Sequence, residues 1–327
     1  MEKLDRIANG FQEAKVLLVG AELGIFERVR GGATAEQVAR ATGGSLRGIE
    51  ILLDALVAIE VLRKERGVYR NDPECEPHLL EDAAGHFVAM LRHRNLMFRR
   101  WAELEDVILG RVAEAASGRP NLEQREPNEN FIRAMYAVTH RLAPALVDLL
   151  DLRGVRRVAD LGGGPGVYLE EIARRSSAIE LWLVDLPLTL EVARRILASS
   201  PAASRIRFVA WNLFAQQAPP ELPAMDLLLL SQVLHGEPPE QCRVLLHRLR
   251  ERLVPGGLLV IHERLVDEDR TAPRDAALFA VNMLAMTPGG RAYTEREIHT
   301  WGREAGLVPE PSDRIEGRSW LLRLRRP

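Results

Sequence analysis

A glycine-rich segment, VADLGGGPG (158–166), contains the residues best suited to binding a small cofactor. It ends a predicted strand and opens a predicted helix, and its alternate glycines allow sharp turns and a close approach of a ligand to the backbone. A dinucleotide-binding loop would have its third glycine at position 167, where Val167 stands. The spacing is D-x-G-x-G-x-G, with Asp160 as the acid. It predicts a cofactor with an ammonium and a carboxylate instead of a pyrophosphate.

A second acid follows the next predicted strand. Asp185 stands directly after LWLV (181–184), 25 residues beyond Asp160. A carboxylate at the tip of the second strand can accept hydrogen bonds from both hydroxyls of a ribose. A glycine loop after one strand, together with an acid after the next, favours a cofactor site over a structural glycine turn.

A histidine follows the fourth predicted strand, DLLLL (226–230). Ligands of open α/β folds bind at the carboxyl edge of the sheet, so His235 is expected beside the glycine loop. That placement makes His235 a candidate for catalysis, although a lone histidine after a strand is more often structural.

The elements that must position these residues alternate in the second half of the chain. Short apolar runs separated by helical stretches predict strands over 158–161, 179–184, 205–209, 226–230 and 258–261. This alternation predicts an α/β fold, a doubly wound parallel sheet with helices on both faces. Before it, the pattern predicts an irregular segment over 119–130 and a helix over 131–150.

The first half is predicted to be helical almost throughout. Thr34 and Gln37 fit a capping box, Ser45 fits a helix cap, and two short apolar pairs around KERG (64–67) suggest a small β wing. A helix–turn–helix with a wing is the outline of a winged-helix module, which often binds DNA. The helix over 45–60, however, has Arg47 as its only base against three acids, so a dimerisation role is favoured.

Composition narrows the protein class. The 327 residues carry 44 basic and 46 acidic side chains, a net charge of −2, and 46% are hydrophobic, which excludes a largely disordered chain. No apolar run approaches the roughly 20 residues of a membrane-spanning helix, and the acidic start does not fit a signal peptide. We therefore expect a soluble, cytoplasmic protein. The two cysteines are far apart, and no HExxH or other metal-ligand pattern appears, so no metal is expected.

Seven segments, in order along nearly the whole chain, carry a family resemblance. They are AELGIF (21–26), FIRAMY (131–136), ADLGGGPG (159–166), VDLP (184–187), VLHGEPPEQC (233–242), LVPGGLLVIHE (253–263) and NMLAMTPGGRAYTERE (282–297). The chain resembles the class I S-adenosylmethionine-dependent methyltransferases, and among them the plant caffeate-type and bacterial small-molecule O-methyltransferases. The resemblance implies a seven-stranded Rossmann-like sheet with its last strand antiparallel, behind an all-helical winged-helix dimerisation domain. It implies a homodimer. From the near-neutral charge, the acidic helix over 45–60 and the lack of a long apolar run, we expect binding to neither nucleic acid nor membrane.

The resemblance also implies which parts of the chain do what. We expect a dimerisation domain over 1–90, a helical connector over 91–150 that contributes to the substrate pocket, and an S-adenosylmethionine-binding domain over 151–327. The implied cofactor-binding residues are Asp160, Gly162, Gly163, Gly164, Asp185, Leu186, Asn212, Leu213, Phe214 and Ser231. Asn212 replaces the acid usual in the family, so it would accept a hydrogen bond from the adenine amine without charge assistance.

His235 takes the place of the family's general base, and Glu263, after the fifth strand, would orient its imidazole. Three departures from the family pattern concern this pair. Gly236-Glu237 follow the base, Ala292 stands where plant members have a second orienting glutamate, and His262 lies beside Glu263. His262 is a rival base, but strand alternation should turn it away from Glu263.

The remaining implied residues would form the wall around an aromatic acceptor: Phe131, Met135, Asn282, Met283 and Thr287. Their methionines adapt to flat ligands, although an ordinary core role explains them equally well. The sequence predicts an O-methyltransferase for a small aromatic hydroxyl compound. A C- or N-methyltransferase and a non-methylating relative, a decarboxylase or hydroxylase, remain alternatives. A metabolite-sensing winged-helix regulator and a nicotinamide oxidoreductase are more distant ones.

Overall fold

The computed structural model describes residues 1–80, 87–111, 124–214, 218–317 and 319–327, apart from the side chain of Glu126. The chain forms two compact units, Met1–Arg99 and Arg100–Pro327. The division predicted from the sequence, with boundaries near 90 and 150, stays a prediction.

The first unit is mainly helical and has one small sheet. Its elements are α1 (Glu2–Asn9), α2 (Phe11–Glu22), α3 (Ile25–Arg28), β1 (Ala33–Thr34), α4 (Ala35–Thr42), α5 (Leu46–Ala58), β2 (Leu62–Glu65), β3 (Val68–Asn71), α6 (Glu76–Leu79) and α7 (Val88–Trp101), which continues two residues past the boundary. The antiparallel sheet has the order β1-β3-β2, so the wing hairpin expected from the sequence is present.

Local sequence signals explain how these helices begin and pack. Thr34 and Gln37 form the capping box of α4, and the Ser45 hydroxyl accepts from the Gly48 amide at the start of α5. Phe26 and Leu56 are buried in the core of the unit. A Cβ at Gly20 would lie 3.1 Å from the Phe26 ring, which is tighter than ordinary van der Waals contact, so a larger residue there would require the ring to shift.

The second unit contains the large sheet. Its elements are α8 (Leu104–Ile108), α9 (Arg125–Asp148), β4 (Arg157–Leu161), α10 (Val167–Arg175), β5 (Glu180–Asp185), α11 (Pro187–Leu197), β6 (Ile206–Ala210), β7 (Met225–Ser231), α12 (Pro239–Arg250), β8 (Leu253–Glu263), α13 (Arg274–Met286), α14 (Glu295–Glu304), β9 (Val308–Ile315) and β10 (Ser319–Arg325). Short 3₁₀ turns cover Ala203–Arg205 and Leu234–Gly236.

The strand order is β6-β5-β4-β7-β8-β10-β9, and β10 runs antiparallel to both of its neighbours. The predicted seven-stranded sheet with an antiparallel last strand is thereby confirmed. The chain leaves β4 in one direction to build β5 and β6, and returns to its other side with β7. Ligands of such sheets bind in the crevice where the strand order reverses, at the carboxyl ends of β4 and its neighbours.

One element differs from its prediction. Helix α9 begins at Arg125, so the irregular segment expected over 119–130 is wrong for 125–130, while 119–123 lie outside the described residues. Pro127 contributed to the prediction of a break, but it is the third residue of the helix. A missing amide hydrogen costs nothing there, because the first turn has no internal acceptor for it.

Both faces of the sheet are covered. The central strands β5, β7 and β8 contain continuous apolar runs, and Leu183, Leu228 and Val260 are each 0% exposed. Such continuous hydrophobic runs are typical of parallel strands buried on both sides. No helix in the described part of the chain is long and apolar enough to span a membrane.

Candidate active site

The glycine loop joins β4 to α10 in a conformation that needs its glycines. Gly162, Gly164 and Gly166 have φ values of 64°, 52° and 79°, in the left-handed region that other residues rarely adopt. A Cβ at Gly163 would lie 2.6 Å from the carboxyl carbon of Asp160 and 2.5 Å from a methyl of Leu183. The backbone of the loop is therefore bare and can approach a ligand closely.

Asp160 lies under this loop and is 0% exposed. Neither of its carboxyl oxygens has a hydrogen-bond partner among the described residues. Burial, and secondarily the negative charge of Asp185, raises the pKa of Asp160 to about 8. An orphaned carboxyl beneath bare glycine backbone fits the ammonium end of S-adenosylmethionine, because a cation there would supply the missing partner.

Asp185 ends β5 and ties the glycine loop to that strand. One of its carboxyl oxygens accepts from the Gly164 amide at 2.8 Å, and the other accepts from the Leu186 amide at 2.7 Å. Burial raises its pKa, although these hydrogen bonds oppose the shift. A carboxylate accepts about four hydrogen bonds, and the Thr189 side chain supplies a third to Asp185, so Asp185 keeps acceptor capacity for the ribose. The structure thus brings the predicted loop and acid together.

The predicted adenine side follows β6. Leu213 is buried, and its methyl would lie 3.7 Å from a Cβ at Gly162, so it borders the glycine loop. Phe214 is half-buried. Asn212 is exposed, and its side-chain oxygen accepts from the Phe214 amide at 3.0 Å. The oxygen expected to receive the adenine amine therefore closes a local turn, with one lone pair remaining.

His235 and Glu263 form a directly hydrogen-bonded pair in the site. Nδ1 of His235 lies 2.8 Å from Oε2 of Glu263, and the His235 amide donates to Oε1 at 3.3 Å. A carboxylate is an acceptor only, so Nδ1 carries the hydrogen and Nε2 keeps its lone pair. The side chain of His235 is 15% exposed, whereas that of Glu263 is 2% exposed. This arrangement can take up a proton at Nε2 while the buried carboxylate compensates the new charge.

Backbone contacts hold the turn that carries His235. The Tyr293 hydroxyl donates to the carbonyl of Glu237, and the Cys242 thiol donates to the carbonyl of Leu234 at 3.4 Å. A Cβ at Gly290 would lie 2.3 Å from the carbonyl oxygen of His235, so this close approach also requires a glycine. The contacts of Tyr293 and Gly290 with the turn that carries His235 were not expected, since neither residue has a local sequence signal for them.

The other histidine, His262, has a different environment. It stands beside Ser231 in the parallel pairing of β7 and β8. Its Nδ1 lies 2.8 Å from the Ser231 hydroxyl and its Nε2 lies 2.9 Å from the Ser319 hydroxyl. Ser231 in turn lies 3.4 Å from the Tyr168 hydroxyl. Burial lowers the pKa of His262 to about 4, so it is neutral and its two nitrogens are both occupied.

The predicted acceptor wall divides between two helices. Phe131 and Met135 are half-buried on α9, whose Ile132 side chain borders the glycine loop at Gly164. Asn282 and Met283 are buried on α13. The Asn282 side chain is not free, because its oxygen accepts from the indole nitrogen of Trp101 at 3.0 Å. The buried Thr287 hydroxyl donates to the Met283 carbonyl at 2.7 Å and accepts from the Gly290 amide.

Phe279, also on α13, contacts His235 directly and was missed in the sequence. Its ring meets the His235 ring edge to face, with centroids 4.8 Å apart. Phe279, Asn282 and Met283 have the i, i+3, i+4 spacing of one helix face. The helical period could have placed Phe279 on the wall, but nothing local indicated the contact with His235.

The O-methyltransferase domain family matches residues 101–308, and the O-methyltransferase dimerisation domain family matches residues 6–81. A 3-hydroxy-5-methyl-1-naphthoate 3-O-methyltransferase of Streptomyces sahachiroi is 33% identical over 93% of this chain and 88% of its own. The 8-O-methyl transferase of tetracenomycin polyketide synthesis from Streptomyces glaucescens is 26% identical over 98% and 96%.

Among solved structures, human N-acetylserotonin methyltransferase in complex with S-adenosylmethionine has a TM-score of 0.84 and 25% identity. The similarity covers 99% of this chain and 97% of the human one.

Proposed function

This chain belongs to the S-adenosylmethionine-dependent O-methyltransferase family, and on that premise we propose that it methylates a hydroxyl group of a small aromatic molecule. His235 acts as the general base, Glu263 orients it, and no metal takes part. The observation that carries this proposal is the 2.8 Å contact between His235 Nδ1 and Glu263 Oε2, at the sheet edge beside the glycine loop. S-adenosylmethionine, when bound, supplies a methyl group on a positively charged sulfur.

The residues around the glycine loop would hold that cofactor. Asp160 and the bare backbone of the loop would receive its amino-acid end, and Asp185 would accept from the ribose hydroxyls. Leu186, Leu213 and Phe214 would pack on the adenine, with Asn212 at the edge of the ring. Ser231, Gly162 and Gly163 would border the part of the cofactor near its sulfur.

The work of His235 is to take the acceptor's proton. Complete proton transfer from a phenol with a pKa of about 10 to an imidazole with a pKa near 6.5 would cost roughly 5 kcal/mol. The proton must therefore move to the imidazole while the acceptor oxygen forms its bond to the methyl group. The buried Glu263 carboxylate stabilises the imidazolium that forms. Holding the acceptor oxygen in line with the methyl group supplies the remaining rate acceleration, because the reacting atoms are already oriented.

The acceptor wall supports an aromatic substrate. Phe131, Met135, Met283 and Phe279 offer flat and adaptable apolar surface, and a thioether makes favourable contacts with ring edges. The Streptomyces sahachiroi relative acts, by its name, on a hydroxyl of a naphthoate ring. Both observations favour a hydroxylated aromatic ring as the acceptor.

The metal-free mechanism is proposed from the donor set at the site. In the described part of the chain, no group of three or more histidine, cysteine, aspartate or glutamate side chains could hold a metal ion. His235 and Glu263 satisfy each other, which suits proton transfer.

Methyl transfer from labelled S-adenosylmethionine to a series of phenols and naphthols tests the function. We expect products 14 mass units heavier, methylated on oxygen, with a rate that an excess of chelator leaves unchanged. Label on carbon or nitrogen would favour the C- or N-methyltransferase alternative. Loss of a carboxyl group or gain of oxygen would favour a non-methylating relative. A rate abolished by the chelator and restored by a divalent ion would overturn the metal-free mechanism.

We also propose that the protein is a homodimer through its first unit. Leu4, Ile7 and Phe11 are 72%, 58% and 54% exposed and follow one another at near-helical spacing. The matched dimerisation domain covers Ile7 and Phe11. Light scattering should give a dimer for the wild type and a monomer for the double variant Leu4→Asp, Ile7→Asp. Lys3→Asp on the same helix is the control for added negative charge and should remain dimeric.

A further inference from the structure

Arg264 stands directly after β8, next to Glu263, and is half-buried. Its guanidinium carbon lies 5.0 Å from the centre of the Phe279 ring. The same ring contacts His235 at 4.8 Å. The Phe279 ring therefore contacts both the permanent positive charge of Arg264 and the proposed base, His235. Phe279 lies on the same face of α13 as Asn282 and Met283.

This charge has no carboxylate partner within 4.0 Å among the described residues. Both oxygens of the neighbouring Glu263 are directed to His235, at its Nδ1 and at its amide. Arg270 is paired with Glu297 at 2.7 Å and Arg296 with Glu268. Arg274 and Arg291 also have no ion pair among the described residues, but both are exposed to solvent, whereas Arg264 is half-buried. Partial burial of a cation without an anion is unfavourable unless a partner arrives. Arg264 is therefore set apart from its neighbours as a guanidinium available to an anion.

We propose that Arg264 binds the carboxylate of the acceptor, so that the substrate class is a hydroxylated aromatic carboxylic acid. A guanidinium fixes a carboxylate through two parallel hydrogen bonds, which orient a planar acid as well as attract it. The cation–π contact with Phe279 restrains the position of the guanidinium. The carboxylate held there determines which ring hydroxyl lies against His235. This inference rests on the proposed function and names its acceptor more narrowly.

Two matched pairs of probes test the assignment: 3-hydroxybenzoate and 3-hydroxy-1-naphthoate, each against its neutral methyl ester. Calorimetry on the protein saturated with S-adenosylhomocysteine measures binding, and kcat and KM are measured for turnover. For the wild type we expect at least one acid to bind more tightly than its ester, by roughly ten- to hundredfold, the range of a hydrogen bond to a charged group.

Arg264→Met keeps a long apolar side chain on Phe279 and removes the charge. It should abolish the preference for the acid, mainly through KM, and leave the ester within about twofold of the wild type. Arg264→Lys should keep part of the preference, because the charge remains but the planar pair of hydrogen bonds is lost. Arg314→Met is the matched control. It removes an exposed arginine stacked 5.7 Å from the Trp320 ring, and should change neither probe.

The assignment is wrong if the ester binds as well as the acid in the wild type, or if no acid binds or reacts. Equal losses of acid and ester in Arg264→Met would also overturn it, since they would show that the residue only supports Phe279. The proposed function fails differently. Esters and acids would then both stay unmethylated while S-adenosylhomocysteine still binds. Methylated esters without any preference for acids leave the function standing and remove only the role of Arg264.

Discussion

Two histidines flank the end of β8, and their surroundings differ in one decisive respect. His235 has a carboxylate partner at Nδ1 and a side chain that is 15% exposed, so Nε2 can meet a substrate. His262 is 2% exposed, and both of its nitrogens face hydroxyl groups, those of Ser231 and Ser319. A carboxylate stabilises the charged imidazolium, whereas burial among neutral hydroxyls opposes charging.

The hydrogen-bond partner of each imidazole and its exposure to solvent therefore decide which histidine can act as a base. The residue type and its place at the sheet edge matter less. His262 is adjacent to Glu263 in sequence but points to the opposite side of the strand. Its two hydrogen bonds tie β7, β8 and β10 together at the height of the site. We assign it a structural role.

The largest expected effect comes from His235→Ala. Removing a general base should lower turnover by at least about a hundredfold, while the affinity for S-adenosylhomocysteine, measured by calorimetry, stays unchanged. His247→Ala, an exposed histidine on α12, is the control and should retain full turnover. Turnover of His235→Ala within threefold of the wild type would remove the contrast between the two histidines.

Glu263→Gln should have the next largest effect. Glutamine can still accept the hydrogen from His235 Nδ1 but lacks the charge that stabilises the imidazolium, so kcat should fall by roughly ten- to hundredfold with KM little changed. Steady-state kinetics with one acceptor measures this. Glu304→Gln, an exposed partner of Arg243, serves as the control. A change confined to KM would indicate that Glu263 shapes the pocket without assisting the base.

His262→Asn should reveal its role through the pH dependence of stability. The pKa of His262 is about 4 in the folded protein and near 6.5 in the unfolded chain, so only the unfolded chain takes up this proton between those values. The stability that His262 contributes is therefore present above pH 6.5 and is lost as the pH falls towards 4.

Asparagine does not titrate, so the advantage of the wild type over His262→Asn should shrink by up to about 3 kcal/mol between pH 7 and pH 4.5. Urea unfolding of both proteins at the two pH values measures the difference. Asp160 titrates in both proteins, so its contribution largely cancels from the difference between their free energies of unfolding. A gap that stays constant with pH would show that His262 is not held neutral.

Ser319→Ala should have the smallest effect. It leaves the buried Nε2 of His262 without a partner, which should cost about 1–3 kcal/mol in the free energy of unfolding. Ser204→Ala, at an exposed position, is the control and should change stability by less than about 0.5 kcal/mol. Equal stability of the two variants would mean that the contact with Ser319 contributes nothing.

Much of the site could be predicted because its residues follow strands. Asp160, Asp185, His235 and Glu263 each stand at or after the carboxyl end of a parallel strand, and such ends meet at one edge. The roles given to them, and to the remaining predicted site residues, stay predictions until the experiments above are done. Phe279 and Arg264 were missed because their contacts join a helix to a strand end across a long stretch of sequence.

The amino-acid sequence by itself determined the class of fold, the glycine loop with its acids, and the family, because helix caps, strand runs and turn glycines act over a few residues. The family resemblance implied that Glu263 orients His235, but only the tertiary structure decided which atoms of the pair are in contact and that His262 lies buried between Ser231 and Ser319. The insertion of β10 between β8 and β9 pairs Leu321 with His262 and so brings Ser319 within reach. That register depends on packing between distant parts of the chain, and it determines the solvent contact and charge of each imidazole.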